Sequence, residues 1–125
     1  MRSGTDILLI EDEANIVEAV RFILSRDGWR LEHWHEGSEA LSRVQTLRPR
    51  LLILDVMLPG RSGIEVLEAL RQHEDLADMP VLMLTARGTG GRGAAISDAA
   101  NRVLAKPFDN DELRRVVAEM LEGAA

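Results

Sequence analysis

The sequence predicts an α/β fold built on a single doubly wound, five-stranded parallel sheet. Three observations lead there. Thr5–Ile10 (TDILLI), Leu51–Asp55 (LLILD) and Val81–Thr85 (VLMLT) are unbroken aliphatic runs, as expected of strands covered on both faces. Between such runs, apolar residues recur at the three- and four-residue spacing of a helix face. Strand-like and helix-like segments alternate through five units, which implies right-handed crossovers and helices on both sides of a parallel sheet. Five strands fit the doubly wound order 2-1-3-4-5, whose switch point lies between strands 1 and 3.

The elements follow in chain order. The first strand runs over Thr5–Ile10 and ends in three acids, Glu11, Asp12 and Glu13. Ala14–Arg26 places Ile16, Val20, Ile23 and Leu24 on one helix face; Asp12 or Glu13 suits its positive N-terminus and Gly28 its stop. Trp29–His35 alternates as a strand. Its two tryptophans, Trp29 and Trp34, fall on opposite faces, one for the core and one for contacts, while His33 and His35 read as surface residues. Ser38–Leu47 reads as a short helix with Ser38 as N-cap and Pro49 beyond its end.

The central strand Leu51–Asp55 carries its only charge at its last residue, and the Pro59-Gly60 turn follows. Ser62 and Glu65 have capping-box spacing and open a helix that buries Ile64, Leu67 and Leu70. Val81–Thr85 is the fourth strand. Gly88–Gly93 reads as a loop, Ala94–Ala100 as a weak helix and Val103–Ala105 as a short fifth strand leading into Lys106-Pro107. Asp109 and Glu112 form another capping-box pair before Leu113, Val116, Val117, Met120 and Leu121.

Composition narrows the function. At 125 residues the chain is one domain, and 46% hydrophobic residues suffice for a core that is aliphatic. A net charge of −6 argues against direct nucleic-acid binding by this domain. Without cysteine there is neither a disulfide nor a thiolate metal site. No run approaches a membrane span, and MRSGTD lacks the apolar core of a signal peptide, so a cytoplasmic protein without membrane contact is expected.

Four strands thus bring polar groups to one sheet edge: Glu11 and Asp12, Asp55, Thr85 and Lys106. Alone, each has an ordinary reading: a turn-capping acid, a solvated helix start, a strand threonine, a surface lysine. Together the three carboxylates repel one another unless they bind protons or a hard cation. Mg²⁺ suits such a site because it accepts few carboxylates and leaves room for a phosphate oxygen. Lys106 supplies positive charge for an incoming phosphoryl group, Thr85 a hydroxyl donor, and Asp55 a nucleophile. The expected chemistry is phosphoryl transfer onto Asp55.

The chain resembles the response regulator receiver domains, the CheY-like family. The resemblance spans nearly all of residues 1–125 and rests on ILLIEDE at 7–13, LLILDVMLPGRSG at 51–63, VLMLTA at 81–86 and AKPF at 105–108. It implies the flavodoxin-like (βα)5 fold and makes Asp55 the phosphoacceptor. Glu11 and Asp12 match the acidic pair that holds Mg²⁺. Asp12 is the better placed for direct ligation; Glu11, longer than the commoner Asp, suits contact through water. Met57 would lend its backbone carbonyl to the metal. Thr85 and Lys106 match the family's hydroxyl and lysine, and the Lys106–Pro107 bond is cis in similar proteins. The donor would be a phosphohistidine on a sensor histidine kinase or phosphotransfer protein, homodimers can form on activation, and the output face would be residues 94–104 and 109–121.

The family's switch aromatic is absent: Val103 stands at its position and the chain has no Tyr. The span from Thr85 to Lys106 is also about one residue short of the usual family spacing and carries four glycines within Gly88–Gly93. Two other function classes compete. A Mg²⁺-dependent phosphatase acting through an aspartyl phosphate lacks its second Asp, because Met57 occupies that place, and lacks a general acid. A phosphorylation-independent scaffold is opposed by the intact Asp55, Thr85 and Lys106.

Overall fold

The computed structural model describes residues 4–86 and 100–123. In chain order the elements are β1 (Ile7–Ile10), α1 (Ala14–Ser25), β2 (Leu31–Trp34), α2 (Ala40–Leu47), β3 (Leu51–Asp55), α3 (Gly63–Gln72), β4 (Val81–Ala86), β5 (Arg102–Lys106) and α4 (Asn110–Gly123). All strand pairs are parallel and the sheet order is β2-β1-β3-β4-β5, as expected. The helix expected over Ala94–Ala100 lies outside the described residues apart from Ala100, as does the Gly88–Gly93 loop.

The sheet sorts its side chains by the two-residue period of a strand. Ile7 and Leu9 of β1, Leu51 and Ile53 of β3 and Leu82 and Leu84 of β4 pack on one face with α1 and α4. Leu8, Ile10, Leu52, Leu54 and Met83 pack on the other with α2 and α3. All four residues of β1 and all five of β3 are buried, which is why both read as continuous apolar runs. Each such side chain contributes about 1.5–3 kcal/mol on burial, so the central strands carry much of the core's stabilisation.

Several boundaries differ from the sequence reading. β2 spans Leu31–Trp34 rather than Trp29–His35, because its ladder to β1 runs only from Leu31 to Trp34. Trp29 and Trp34 lie on opposite faces, but both pack partly buried against core clusters, so neither is simply a contact residue. Ser38 is not the cap of α2. The Glu36 carboxylate takes the Glu39 amide at 2.8 Å, the Ala40 amide bonds the Gly37 carbonyl, and the helix begins only at Ala40. β5 is longer than expected and ends at Lys106, because β4 pairs with it from Arg102 onward.

The Ser62–Glu65 capping box forms with both bonds present. At the start of α4, Asp109 accepts from the Glu112 amide at 3.2 Å. The α1 start uses no such cap: Glu13 is the N-cap residue without a side-chain cap bond, and its amide donates to the Glu11 carboxylate.

Candidate functional site

The sheet register assembles the site. Ile10 pairs with Leu54, so Glu11 and Asp55, the next residues of adjacent strands, emerge side by side. Asp55 pairs with Leu84, which places Thr85 one step further along β4, and Lys106 pairs with Ala86. All of these lie at the carboxyl edge of a parallel sheet, where open α/β folds bind ligands. Asp55 is further fixed by its own loop. The Gly63 amide returns to the Val56 carbonyl at 2.8 Å, and Gly63 lies so close that a Cβ there would overlap the Asp55 carbonyl oxygen. The β3–α3 loop is braced from the side by the Gly37 amide, which donates to the Pro59 carbonyl at 3.1 Å.

Three carboxylates converge. Ligand oxygens of Glu11, Asp12 and Asp55 lie within 4.8 Å of one another. Glu11 is 0% exposed and Asp55 1%, whereas Asp12 stands at the open rim. Lys106 Nζ is 3.0 Å from Asp55 Oδ1, 3.6 Å from Glu11 Oε1 and 3.6 Å from Glu13 Oε1. It is the counter-charge of both buried oxygens, Glu11 Oε1 and Asp55 Oδ1, for which no further partner stands among the described residues. One ammonium therefore serves three acids, and its single charge does not neutralise them all.

The protonation behaviour follows from this crowding. Burial first, and then the charge of Asp55, push the Glu11 carboxyl up to about 7; the Glu13 amide and Lys106 offset part of that rise. Burial works to lower the Lys106 ammonium, but the carboxylates of Asp55, Glu11 and Glu13 outweigh it and hold the lysine above its ordinary range. A hard cation is the physical complement of such a set. Acid oxygens at mutual ligand distance, two of them buried with one shared ammonium against them, fit Mg²⁺.

The remaining expected site residues surround this centre. Thr85 is 6% exposed on β4, beside the strand that carries Asp55. Met57 lies two residues beyond Asp55, in the β3–α3 loop, with its side chain 64% exposed. The Lys106–Pro107 peptide bond is cis. Val103 is 42% exposed on β5. Two participants escaped the sequence reading. Glu13 was visible only as the third of three acids, yet it contacts Lys106. His33, expected at the surface, is half-buried, and its Nε2 lies 2.8 Å from the Glu11 carbonyl oxygen. The β1–β2 register carries that information, and alternation alone does not.

The response regulator receiver domain pattern matches residues 7–118. The chain belongs to the response regulator receiver domain family. This receiver domain is 40% identical over 119 residues to the phosphate regulon transcriptional regulatory protein PhoB of Rhizobium meliloti, covering 94% of this chain and 52% of PhoB. It spans about half the length of the curated relatives it matches. Among crystal structures, the signal receiver domain of a histidine kinase from Syntrophus aciditrophicus superposes with a TM-score of 0.86 at 30% identity, over 96% of this chain and 92% of that one. The receiver domain of the sensor kinase PA1611 from Pseudomonas aeruginosa superposes with a TM-score of 0.85 at 27% identity, over 96% of this chain and 99% of that one. That structure carries a magnesium ion coordinated in its active-site cleft. Among the described residues of this receiver domain, no helix is long and apolar enough to cross a membrane.

Proposed function

We propose that this receiver domain is a phosphoacceptor switch: a phosphoryl group passes from a phosphohistidine of a sensor histidine kinase or phosphotransfer protein to Asp55. The observation that carries this reading is the buried Asp55 carboxylate at 3.0 Å from Lys106 Nζ, inside a cluster of acid oxygens that fits a divalent cation. In the transfer, an Asp55 oxygen forms a bond to phosphorus as the P–N bond of the phosphoimidazole breaks, and the imidazole departs with the electron pair. Lys106 balances the charge that gathers on the phosphoryl oxygens. Thr85 offers its hydroxyl at the same edge, and the burial of Asp55 limits access of bulk water to the acyl phosphate. Glu11, Asp12, Asp55 and the Met57 backbone carbonyl would hold Mg²⁺, which when bound neutralises phosphoryl charge.

Intact mass after incubation with Mg²⁺ and acetyl phosphate tests this. One added phosphoryl group is expected in the native chain, none in Asp55→Asn, and none once Mg²⁺ is chelated. Lys106→Met is expected to slow the adduct by about 100-fold or more, the scale of losing one preorganised charge-stabilising donor. A folded, Mg²⁺-binding chain that acquires no adduct would instead be a phosphorylation-independent scaffold. Rapid steady release of phosphate would mark a phosphatase.

A further inference from the structure

The Glu11 carbonyl oxygen lies where the β1–β2 ladder runs out. Ile10 registers with Trp34, and the Glu11 amide donates to the Trp34 carbonyl at 3.0 Å. Past that rung the chain turns through Asp12 and Glu13 into α1. The His33 side chain closes the gap, its Nε2 lying 2.8 Å from the Glu11 carbonyl oxygen and joining positions 22 residues apart. A carbonyl oxygen only accepts, so His33 Nε2 must carry the proton.

The peptide held in this way matters because of what flanks it. Glu11 and Asp12 provide two of the three clustered carboxylates. The Glu11 carboxylate takes the Glu13 amide on Oε2 at 3.2 Å and faces Lys106 Nζ at 3.6 Å from Oε1, while the Asp12 and Asp55 carboxylates crowd it, so the place it takes among them depends on where the backbone beneath it is fixed. We propose that His33 is a positioning residue for the phosphoacceptor pocket: its Nε2–H anchors the Glu11 peptide and so holds the Glu11 and Asp12 carboxylates in their cation-binding arrangement. The inference rests on the reading above that this pocket takes Mg²⁺. It differs from a merely structural role for His33. The start of β2 is already pinned by the Arg30 amide on Asp6 Oδ2 at 2.9 Å and by the Asp6 amide on the Arg30 carbonyl at 3.0 Å, so the strand does not depend on His33 for its attachment.

Calorimetric Mg²⁺ titration of the full chain, with His33→Gln and His33→Phe beside it, tests the proposal. Glutamine carries an N–H at nearly the reach of Nε2; phenylalanine keeps the ring and loses the donor. Expected are affinities within about twofold for the native chain and His33→Gln, and binding about three- to tenfold weaker for His33→Phe, the effect of one outer hydrogen bond on a metal site. In EDTA His33→Phe is expected to melt a few degrees below the other two, the effect of one lost hydrogen bond, and affinities are compared where all three are folded. Long-range ¹H–¹⁵N spectra of the native imidazole should show Nε2 protonated, and this holds as a check even if His33→Phe fails to fold. Equal Mg²⁺ affinity in His33→Phe, a folded His33→Gln as weak as His33→Phe, or an unprotonated Nε2 each overturns the role assigned to His33. A native chain that binds no Mg²⁺ overturns the pocket reading itself and this proposal with it, whereas native binding with an indifferent His33→Phe overturns the proposal alone.

Discussion

Glu11 shows how one residue can serve a site at the expense of the fold. Its carboxyl is fully buried, and burial together with the charge of Asp55 raises its pKa to about 7. A raised carboxyl binds its proton more tightly in the folded chain than in the unfolded one. The ion-free protein therefore loses stability from this group as pH rises from about 4.5 through 7, and regains it as pH falls. Glu11→Gln removes the charge at similar volume. In EDTA at pH 8 it is expected to raise the unfolding free energy by on the order of 1–3 kcal/mol, with the gain shrinking toward pH 5. Thermal or urea unfolding across that range checks this; a variant less stable than the native chain at pH 8 would contradict it. The acid was legible in the sequence as part of a strand-end cluster. Its complete burial was not, because burial depends on β2 and β3 closing over it from both sides.

Among the elements, the β3–α3 connection braces Asp55. Its helix start was readable, because Ser62 and Glu65 sit three residues apart and their bonds are local. The role of Gly63 was not readable, because it depends on the loop folding back until the glycine rests on the Asp55 carbonyl. Gly63→Ala sets two effects against each other. Alanine favours the helix by at most about 1 kcal/mol. Its Cβ, however, overlaps backbone that cannot rotate aside, and such overpacking costs about 1–3 kcal/mol. Net destabilisation is expected by urea unfolding, together with slower formation of the Asp55 adduct; an unchanged midpoint would show that the loop relaxes freely. The end of β5 failed to be read for a related reason. Arg102 and Lys106 are charged and look like flanks, yet pairing with Leu82 and Ala86 of β4 makes them strand residues.

For the molecule as a whole, the acidic pocket crowds three carboxylates at the edge of a sheet whose central strands β1 and β3 are fully buried. Ligand binding to the folded state alone stabilises it by mass action, about 2.7 kcal/mol at a hundredfold excess over Kd. Mg²⁺ is accordingly expected to raise the melting temperature of the native chain by several degrees at pH 8, and to raise that of Asp55→Asn by less, since one ligand charge is gone. Calorimetric melting in EDTA and in Mg²⁺ measures both, and equal increments would remove Asp55 from the cation site. Away from the pocket residues, Arg114 grips Asp27 through two bonds, Nε to Oδ2 at 3.1 Å and Nη2 to Oδ1 at 2.8 Å, tying the end of α1 to α4. This exposed clasp, with Asp27 held below the usual carboxylate range by Arg114, weakens as acid protonates it.

The fold class and the gathering of Glu11, Asp12, Asp55, Thr85 and Lys106 at one edge were contained in the order of residues along the chain, whereas the strand order was borrowed from known five-stranded doubly wound folds and is set by the tertiary structure. Hydrophobic periodicity is local, and parallel strands joined by right-handed crossovers must end their carboxyl termini on the same side. What waited for the folded chain were the relations between strands: Lys106 shared among Asp55, Glu11 and Glu13, the burial of the Glu11 and Asp55 carboxylates, Gly63 against Asp55, and His33 on the Glu11 carbonyl. Each depends on register and on distances of a few ångströms between residues far apart in sequence, and no local pattern encodes such distances.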